Sequence, residues 1–209
     1  EEYSVQIGVQ SGSVIEKGDV PFRHRVAIFG SSFTHGTSTS RPGMTYPAQF
    51  CRNTGIQLLS LGCSGNCKMQ SYFADALVNA PDIDAFIFDS FSNPTIEEIR
   101  ERLFPFIEKL QGAHPGKPMI FQHTIYRERR NFDLATEKNE SERMRVVDEL
   151  MAEAVKRYKD VYYVTTTNAT SPKHDTSVDG THPGDHGYSL WAESIQKPIL
   201  KILRKYGIR

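Results

Sequence analysis

Two adjacent serines follow the first apolar run of this chain, in Gly30-Ser31-Ser32-Phe33-Thr34-His35-Gly36. Near the other end, Asp179-Gly180-Thr181-His182-Pro183 sets an aspartate three residues before a histidine. These residue types suit nucleophilic catalysis. A serine hydroxyl is a weak nucleophile until a base takes its proton, and histidine is well suited to take it. An Asp three residues upstream can fold back onto the imidazole Nδ1, fix the tautomer and support the imidazolium, which leaves Nε2 for the serine. Backbone N–H groups in a tight turn at Ser32 would point at incoming negative charge. Two further segments fit that picture. Gly62-Cys63-Ser64-Gly65-Asn66 has glycines that let the backbone approach a bound group, and Asn93, in Ser90-Phe91-Ser92-Asn93-Pro94, has an amide that can donate to an oxyanion. Each segment also has a plainer reading: ordinary turns for the three loops, and a helix cap for Asn93. The Ser31/Ser32 loop lacks the Lys-Ser/Thr ending of a phosphate-binding P-loop.

The order of these segments suggests what must position them. Five short apolar runs read as strands: Arg25–Phe29, Ile56–Leu61, Asp84–Asp89, Pro118–His123 and Val161–Val164. Near-continuous apolar runs mark strands buried on both faces, as in a parallel sheet. Helix-spaced apolar residues lie between and after them: Ile96, Ile99, Leu103, Phe106 and Leu110; then Met144, Val147, Met151, Ala154 and Tyr158; then Tyr188, Trp191, Ile195 and Ile199. Pro105 predicts a kink or break in the first, Asn139 with Glu142 predicts the N-cap of the second, and the third is expected from about Asp185 to Leu203 with a bend at Pro198. Strands alternating with helices imply an α/β fold with helices on both faces of a parallel sheet. Loops at the carboxyl ends of its strands would then hold any ligand. Residues 1–24 stand apart: Tyr3, Val5, Ile7 and Val9 alternate with polar residues, as in an edge strand or the tail of a preceding domain.

Other chemistry-bearing residues have two readings each. Arg41, in Ser40-Arg41-Pro42-Gly43-Met44, either contacts a substrate hydroxyl or carboxylate or ties down its own loop. His123, at the end of the fourth run, either lines the pocket or is a structural histidine. Tyr126, Arg127, Arg129 and Arg130 lie in the long charged stretch Thr124–Lys138 and read as a solvated loop, with a substrate role as the lesser reading. His35 and His186 are neighbours of the motifs. Asn139 and Asn168 begin Asn-x-Ser/Thr sequons, which matter only in a eukaryotic secretory host.

Bulk properties narrow the classes. The 209 residues suffice for one α/β domain, and 25 basic against 25 acidic residues give no net charge, which disfavours a nucleic-acid partner. No apolar run is long enough to insert in a membrane. Cys51, Cys63 and Cys67 are an odd number and imply no disulfide framework, with a Cys63–Cys67 or a Cys51–Cys67 bridge left open; no histidine sits near Cys63 and Cys67 at zinc-finger spacing, so no metal is expected.

Taken together, the stretches GSSFTHG, SRPGMTYP, LGCSGNCKM and DGTHPGDHGY resemble the SGNH/GDSL hydrolase superfamily, and within it a GDSL-like subgroup common in bacterial carbohydrate-active proteins. Its four blocks contribute Ser, Gly, Asn and His in chain order, matched here by Ser32, Gly65, Asn93 and His182, with Asp179 at the DxxH position. The Gly-x-Ser register favours Ser32 over Ser31. The sequence departs from the blocks at Ser31, where Asp is usual, and around Asn93, which lacks the usual flanking Gly and Asp. The resemblance, over residues 25–209, implies a three-layer α/β/α sandwich on a flavodoxin-like sheet of order 2-1-3-4-5. It implies a Ser32–His182–Asp179 triad and an oxyanion hole from the Ser32 and Gly65 N–H groups and the Asn93 side chain. It implies a serine esterase that needs no cofactor and cleaves short acyl esters, with O-acetyl groups on a carbohydrate as the preferred substrate. Acyl transfer by the same triad and non-catalytic glycan binding are the rival readings. A periplasmic or extracellular location and an upstream β-sandwich domain, of which residues 1–24 would be a remnant or linker, also follow from the resemblance.

Overall fold

A computed structural model describes residues 4, 6–19, 22–166, 169–171 and 173–209. Five strands form one parallel sheet: β1 (Arg25–Gly30), β2 (Gln57–Gly62), β3 (Ala85–Asp89), β4 (Met119–Gln122) and β5 (Val161–Val164), in the order β2-β1-β3-β4-β5. Six helices accompany them: α1 (Ser32–His35), α2 (Tyr46–Thr54), α3 (Ser71–Val78), α4 (Ile96–Ala113), α5 (Leu134–Arg157) and α6 (Asp185–Leu203). The expected three-layer α/β/α sandwich is present.

Strand alternation builds two cores, one on each face of the sheet. Ala27, Phe29, Phe86, Phe88, Met119 and Phe121 turn toward α3, α4 and α5, while Val26, Ile28, Ala85, Ile87 and Ile120 turn toward α2 and α6. On the second face Trp191 of α6 stacks on Tyr46 of α2 with centroids 4.3 Å apart and 6° between planes, and meets the Phe33 ring edge-on at 5.5 Å. Aromatic burial of this kind dominates core energetics. The expected helical stripes supply much of both cores.

Two local expectations are corrected. α4 does not break at Pro105: Pro105 and Glu101, the residue four before it, both face solvent, so the carbonyl that Pro105 cannot serve lies on the solvent side of the helix. α6 spans the expected Asp185–Leu203 and is continuous through Pro198. α5 begins at Leu134, five residues before Asn139: the Asp133 carboxylate caps it by accepting from the Ala135 and Thr136 N–H groups. The described residues of 1–24 before β1 include no strand, and Ile7, Val9, Val14 and Ile15 are exposed; Tyr3, Val5 and Pro21 lie outside the described residues. Cys51, Cys63 and Cys67 are free thiols.

The chain reverses its direction of sheet growth between β1 and β3, so crevices open there at the carboxyl edge. At that edge β2 ends against α1. A Cβ on Gly62 would lie 2.3 Å from the His35 backbone nitrogen and 2.5 Å from its Cα, so only glycine fits. Gly62→Ala is expected to lower the unfolding free energy by about 1–3 kcal/mol, roughly 2–4 °C in Tm per kcal/mol for a chain of this size. A thermal melt checks this, and an unchanged Tm would mean that α1 moves away at no cost.

Candidate active site

Ser32, Asn93 and His182 come from three separate loops at the carboxyl edge. Ser32 is the first residue of α1, and its N-cap Ser31 accepts from the Phe33 N–H. His182 lies in a small antiparallel hairpin ahead of α6. In it the Gly184 N–H donates to the Thr176 carbonyl, Ser177 bridges to Pro183, and the Val178 N–H donates to the His182 carbonyl. The hairpin brings His182 Nε2 to 3.0 Å from Ser32 Oγ, and His182 Nδ1 lies 2.7 Å from Asp179 Oδ2. The other Asp179 oxygen accepts from the His182 and Thr181 N–H groups at 2.6 and 2.8 Å. Partial burial works against ionisation of Asp179, but the bonds from His182 and Thr181 outweigh it and hold the carboxyl down at about 2. Asp179 therefore stays anionic across the neutral range and can face an imidazolium. The His182 ring packs against Phe33 at 5.7 Å.

Three N–H donors lie in loops that follow β1, β2 and β3 at the same edge. The Ser32 N–H, at the first position of α1, has no acceptor among the described residues, as expected of a helix N-terminus. Gly65 sits at φ +70° in a turn closed by the Asn66 N–H donating to the Cys63 carbonyl. That positive φ calls for glycine, and its own N–H also has no acceptor among the described residues. Asn93 is oriented by the Cys67 N–H, which donates to its Oδ1 at 3.3 Å, and its Nδ2 has no acceptor among the described residues. Thr95, not Asn93, caps α4, in a reciprocal capping box with Glu98.

The remaining candidates lie apart from this line of residues. Arg41 is exposed and donates to Ser40, whose own N–H and hydroxyl bond Asp185 at the start of α6, so its recorded contacts tie down the loop. His123 lies in a different place: its Nδ1–H donates to the Thr124 carbonyl at 2.6 Å, and it lines a cavity of about 550 Å³ with Tyr126, Asp148 and Tyr163. His35 and His186 are exposed. The charged stretch after β4 is not a solvated loop. Arg127 and Arg130 are mostly buried and pair with Glu140 and Glu137, and only Arg129 is largely exposed.

Sequence reasoning missed Asp89, the last residue of β3. It is 1% exposed, and one of its oxygens accepts from the Ser31 N–H, the Ser31 hydroxyl and the Thr34 hydroxyl. Asp89 thus fixes both ends of the turn that presents Ser32. Behind it runs a buried polar column: Thr34 Oγ1 to Tyr46 OH at 2.7 Å, Gln122 Nε2 to the same hydroxyl at 3.4 Å, and Trp191 Nε1 to Gln122 Oε1 at 3.0 Å. A charged residue ending the apolar run AFIFD was the available signal. Burial pushes the Asp89 carboxyl up to about 6, with the Ser31 and Thr34 bonds and the Arg127 charge opposing.

That upward displacement has a sign for stability. The folded chain keeps this proton at pH values where the unfolded chain has lost it, so the contribution is full below about pH 4 and is lost as the pH rises through about 6. The change is roughly 3 kcal/mol for a displacement of about two units. Asp89→Asn keeps an acceptor for Ser31 and Thr34 but cannot ionise. Urea unfolding from pH 4 to 7 should show the variant gaining on the wild type by roughly 3 kcal/mol. A constant gap between the two would mean that Asp89 ionises in the fold without penalty.

Comparison with known proteins bears on the family and the fold. The pattern of the GDSL-like lipase/acylhydrolase family matches residues 23–201. Among solved structures, a candidate GDSL-like lipase from Bacteroides ovatus ATCC 8483 is 36% identical, over 94% of this chain and 58% of its own, with a TM-score of 0.86. A salicylyl-acyltransferase from a tetracycline biosynthetic pathway is 20% identical (91% and 58% covered, TM-score 0.72). A family two carbohydrate esterase from Cellvibrio japonicus is 13% identical (89% and 63% covered, TM-score 0.67). The last two share the fold. The chain spans about three-fifths of the length of each of these proteins. No curated protein sequence matches it. Matched over most of its length, the chain belongs to the GDSL-like lipase/acylhydrolase family.

Proposed function

We propose that this chain is a serine esterase that removes short acyl groups, O-acetyl groups on a carbohydrate above all. The observation that carries the reading is the hydrogen-bonded line from Ser32 Oγ through His182 to Asp179, at 3.0 and 2.7 Å. In this reading His182 Nε2 takes the Ser32 proton as Oγ attacks the ester carbonyl. The negative charge that develops on the carbonyl oxygen is met by the Ser32 and Gly65 N–H groups and Asn93 Nδ2. Collapse of the tetrahedral intermediate breaks the bond to the alcohol, which leaves with the proton from His182. Water, deprotonated by His182, then attacks the acyl-serine and releases the acid. No step uses a cofactor.

Hydrolysis is favoured over transfer to another acceptor by the openness of the site. Asp179 has half of its side chain exposed, and His182 about a fifth, so water reaches the acid–base residue directly. Arg41 and His123 are assigned no contact with the reacting atoms, and sugar contacts by either are a secondary proposal. A carbohydrate substrate goes with a periplasmic or extracellular location, where acylated polymers are met. Among the described residues no helix is long and apolar enough to cross a membrane.

Hydrolysis of p-nitrophenyl acetate, butyrate and octanoate tests the reading. The wild type is expected to prefer acetate. Ser32→Ala and His182→Ala should each lower kcat by about 10⁴-fold or more, and Asn93→Ala by about 100- to 1,000-fold. A wild type no faster than Ser32→Ala on all three esters would overturn it. Product formed on an added sugar faster than free acid would turn it to acyl transfer, and glycan binding without turnover to a binding module.

A further inference from the structure

The hairpin that carries Asp179 and His182 has to be held from outside itself. Both bonds from His182 to Asp179 lie within it, and so does the bond from Thr181, so none of them sets where the hairpin stands relative to Ser32. One stem, Pro183–Gly184, runs into α6 and is placed by that helix. The other stem, Thr176–Ser177, belongs to no helix or named strand. It is gripped by one carboxylate. Glu128 Oε1 accepts from the Thr176 N–H at 3.1 Å and the Thr176 hydroxyl at 2.7 Å; Oε2 accepts from the Ser177 N–H at 3.3 Å and the Ser177 hydroxyl at 2.7 Å. Glu128 is 6% exposed.

Its chain neighbours extend the grip. The Arg129 N–H donates to the Gly180 carbonyl at 2.7 Å, at the hairpin tip, and Gly180, at φ +79°, has no side chain to push Arg129 away. Arg127 Nη2 donates to the Ser92 carbonyl at 3.0 Å, one residue before Asn93, and its guanidinium lies 5.4 Å from the Phe33 ring centroid. Three consecutive residues thus touch the hairpin, the Asn93 loop and the ring beside Ser32.

We propose that Glu128 is a positioning residue that sets the distance between His182 and Ser32 by holding the Thr176–Ser177 stem. The inference rests on the reading of His182 as the acid–base residue. Four donors on one buried carboxylate give it the fit of a socket, and charge-assisted bonds of this kind are the stronger ones. Burial alone would favour the neutral acid, but the Thr176 and Ser177 donors outweigh it and hold the Glu128 carboxyl below its ordinary range, so it grips as an anion at neutral pH. Proton transfer is steep in distance, and a displacement of about 1 Å costs about 100-fold in rate.

The test compares Glu128→Gln, Glu128→Ala and Ser177→Ala with the wild type, reading amide hydrogen exchange together with kcat and KM on p-nitrophenyl acetate. Gln keeps the shape of Glu128 but turns one two-bond acceptor into a donor. Exchange in 176–182 should quicken while β1, β3 and β4 stay protected, and kcat should fall about 10- to 100-fold with KM within about threefold. Adding Ser177→Ala to Glu128→Gln should cost less than Ser177→Ala alone, since the two share a bond. If Glu128→Ala does not fold, the Gln and Ser177→Ala variants carry the test. Quickened exchange with unchanged kcat would overturn the proposal, as would a kcat loss accompanied by faster exchange throughout the sheet. A wild type without turnover would sink the esterase reading instead. Exchange would then decide alone whether Glu128 holds the stem: faster in Glu128→Gln supports it, unchanged overturns it.

Discussion

A hydrogen bond between residues 150 positions apart, Ser32 Oγ to His182 Nε2 at 3.0 Å, is the contact on which the rest of this site depends. Neither residue can reach the other through local structure. The sheet solves half of the problem. β1 and β3 lie side by side at the point where strand order reverses, so the turn after β1 and the loop after β3 flank one crevice. The other half is solved by loops, because His182 approaches from the α6 side after the last strand has ended.

The two partners are fixed by different means. Ser32 is held from below, by a buried anion and a polar column that runs from Asp89 through Thr34, Tyr46 and Gln122 to Trp191. Polar groups in an interior cost free energy unless each finds a partner. Here each finds one, and the outcome is an arrangement with few alternatives. His182 is held from the side, in a half-exposed hairpin with little apolar packing of its own. Its position comes from discrete hydrogen bonds to an α6 stem on one side and to residues 128 and 129 on the other. The proposed nucleophile therefore sits on the buried side of the site and the proposed base on its more exposed rim.

What was legible in the sequence follows the same division. β1, β3 and β4 stood out because burial on both faces leaves near-continuous apolar runs, while the edge strands β2 and β5 are apolar runs only partly buried; the fifth, Val161–Val164, was read to the residue. α4, α5 and α6 stood out through their stripes. α2 and α3 did not: they have nine and eight residues, too few turns to show a period, and Pro47 sits in the first turn of α2. The start of α5 was misread because Asn139 and Glu142 imitate a capping box, while the true cap, Asp133, follows a charged stretch that looks like loop. The Asp179–His182 contact was legible because a three-residue spacing carries it, and the position of Ser32 because it directly follows β1. Asp89 and Glu128 were not, since their partners lie 55 to 58 and 48 to 49 residues away, and no local pattern records such a pairing.

The sequence also departs from local rules at the place where chemistry is proposed, and the departures have a common physical sense. The Ser32 and Gly65 N–H groups and Asn93 Nδ2 have no acceptor among the described residues, while the Asn93 oxygen accepts from the Cys67 N–H. In a structure selected for stability alone, such donors would be capped, as Thr95 and Asp133 cap α4 and α5. Donors left open and fixed in place can meet an oxyanion without reorganising at the moment it forms. The supporting residues show the reverse pattern: one Asp89 oxygen takes three bonds and the Glu128 carboxylate takes four. Hydrogen-bonded carboxylates behind the site and open donors within it are two sides of one arrangement, because donors can be left open to a substrate only if the backbone carrying them is held by something else.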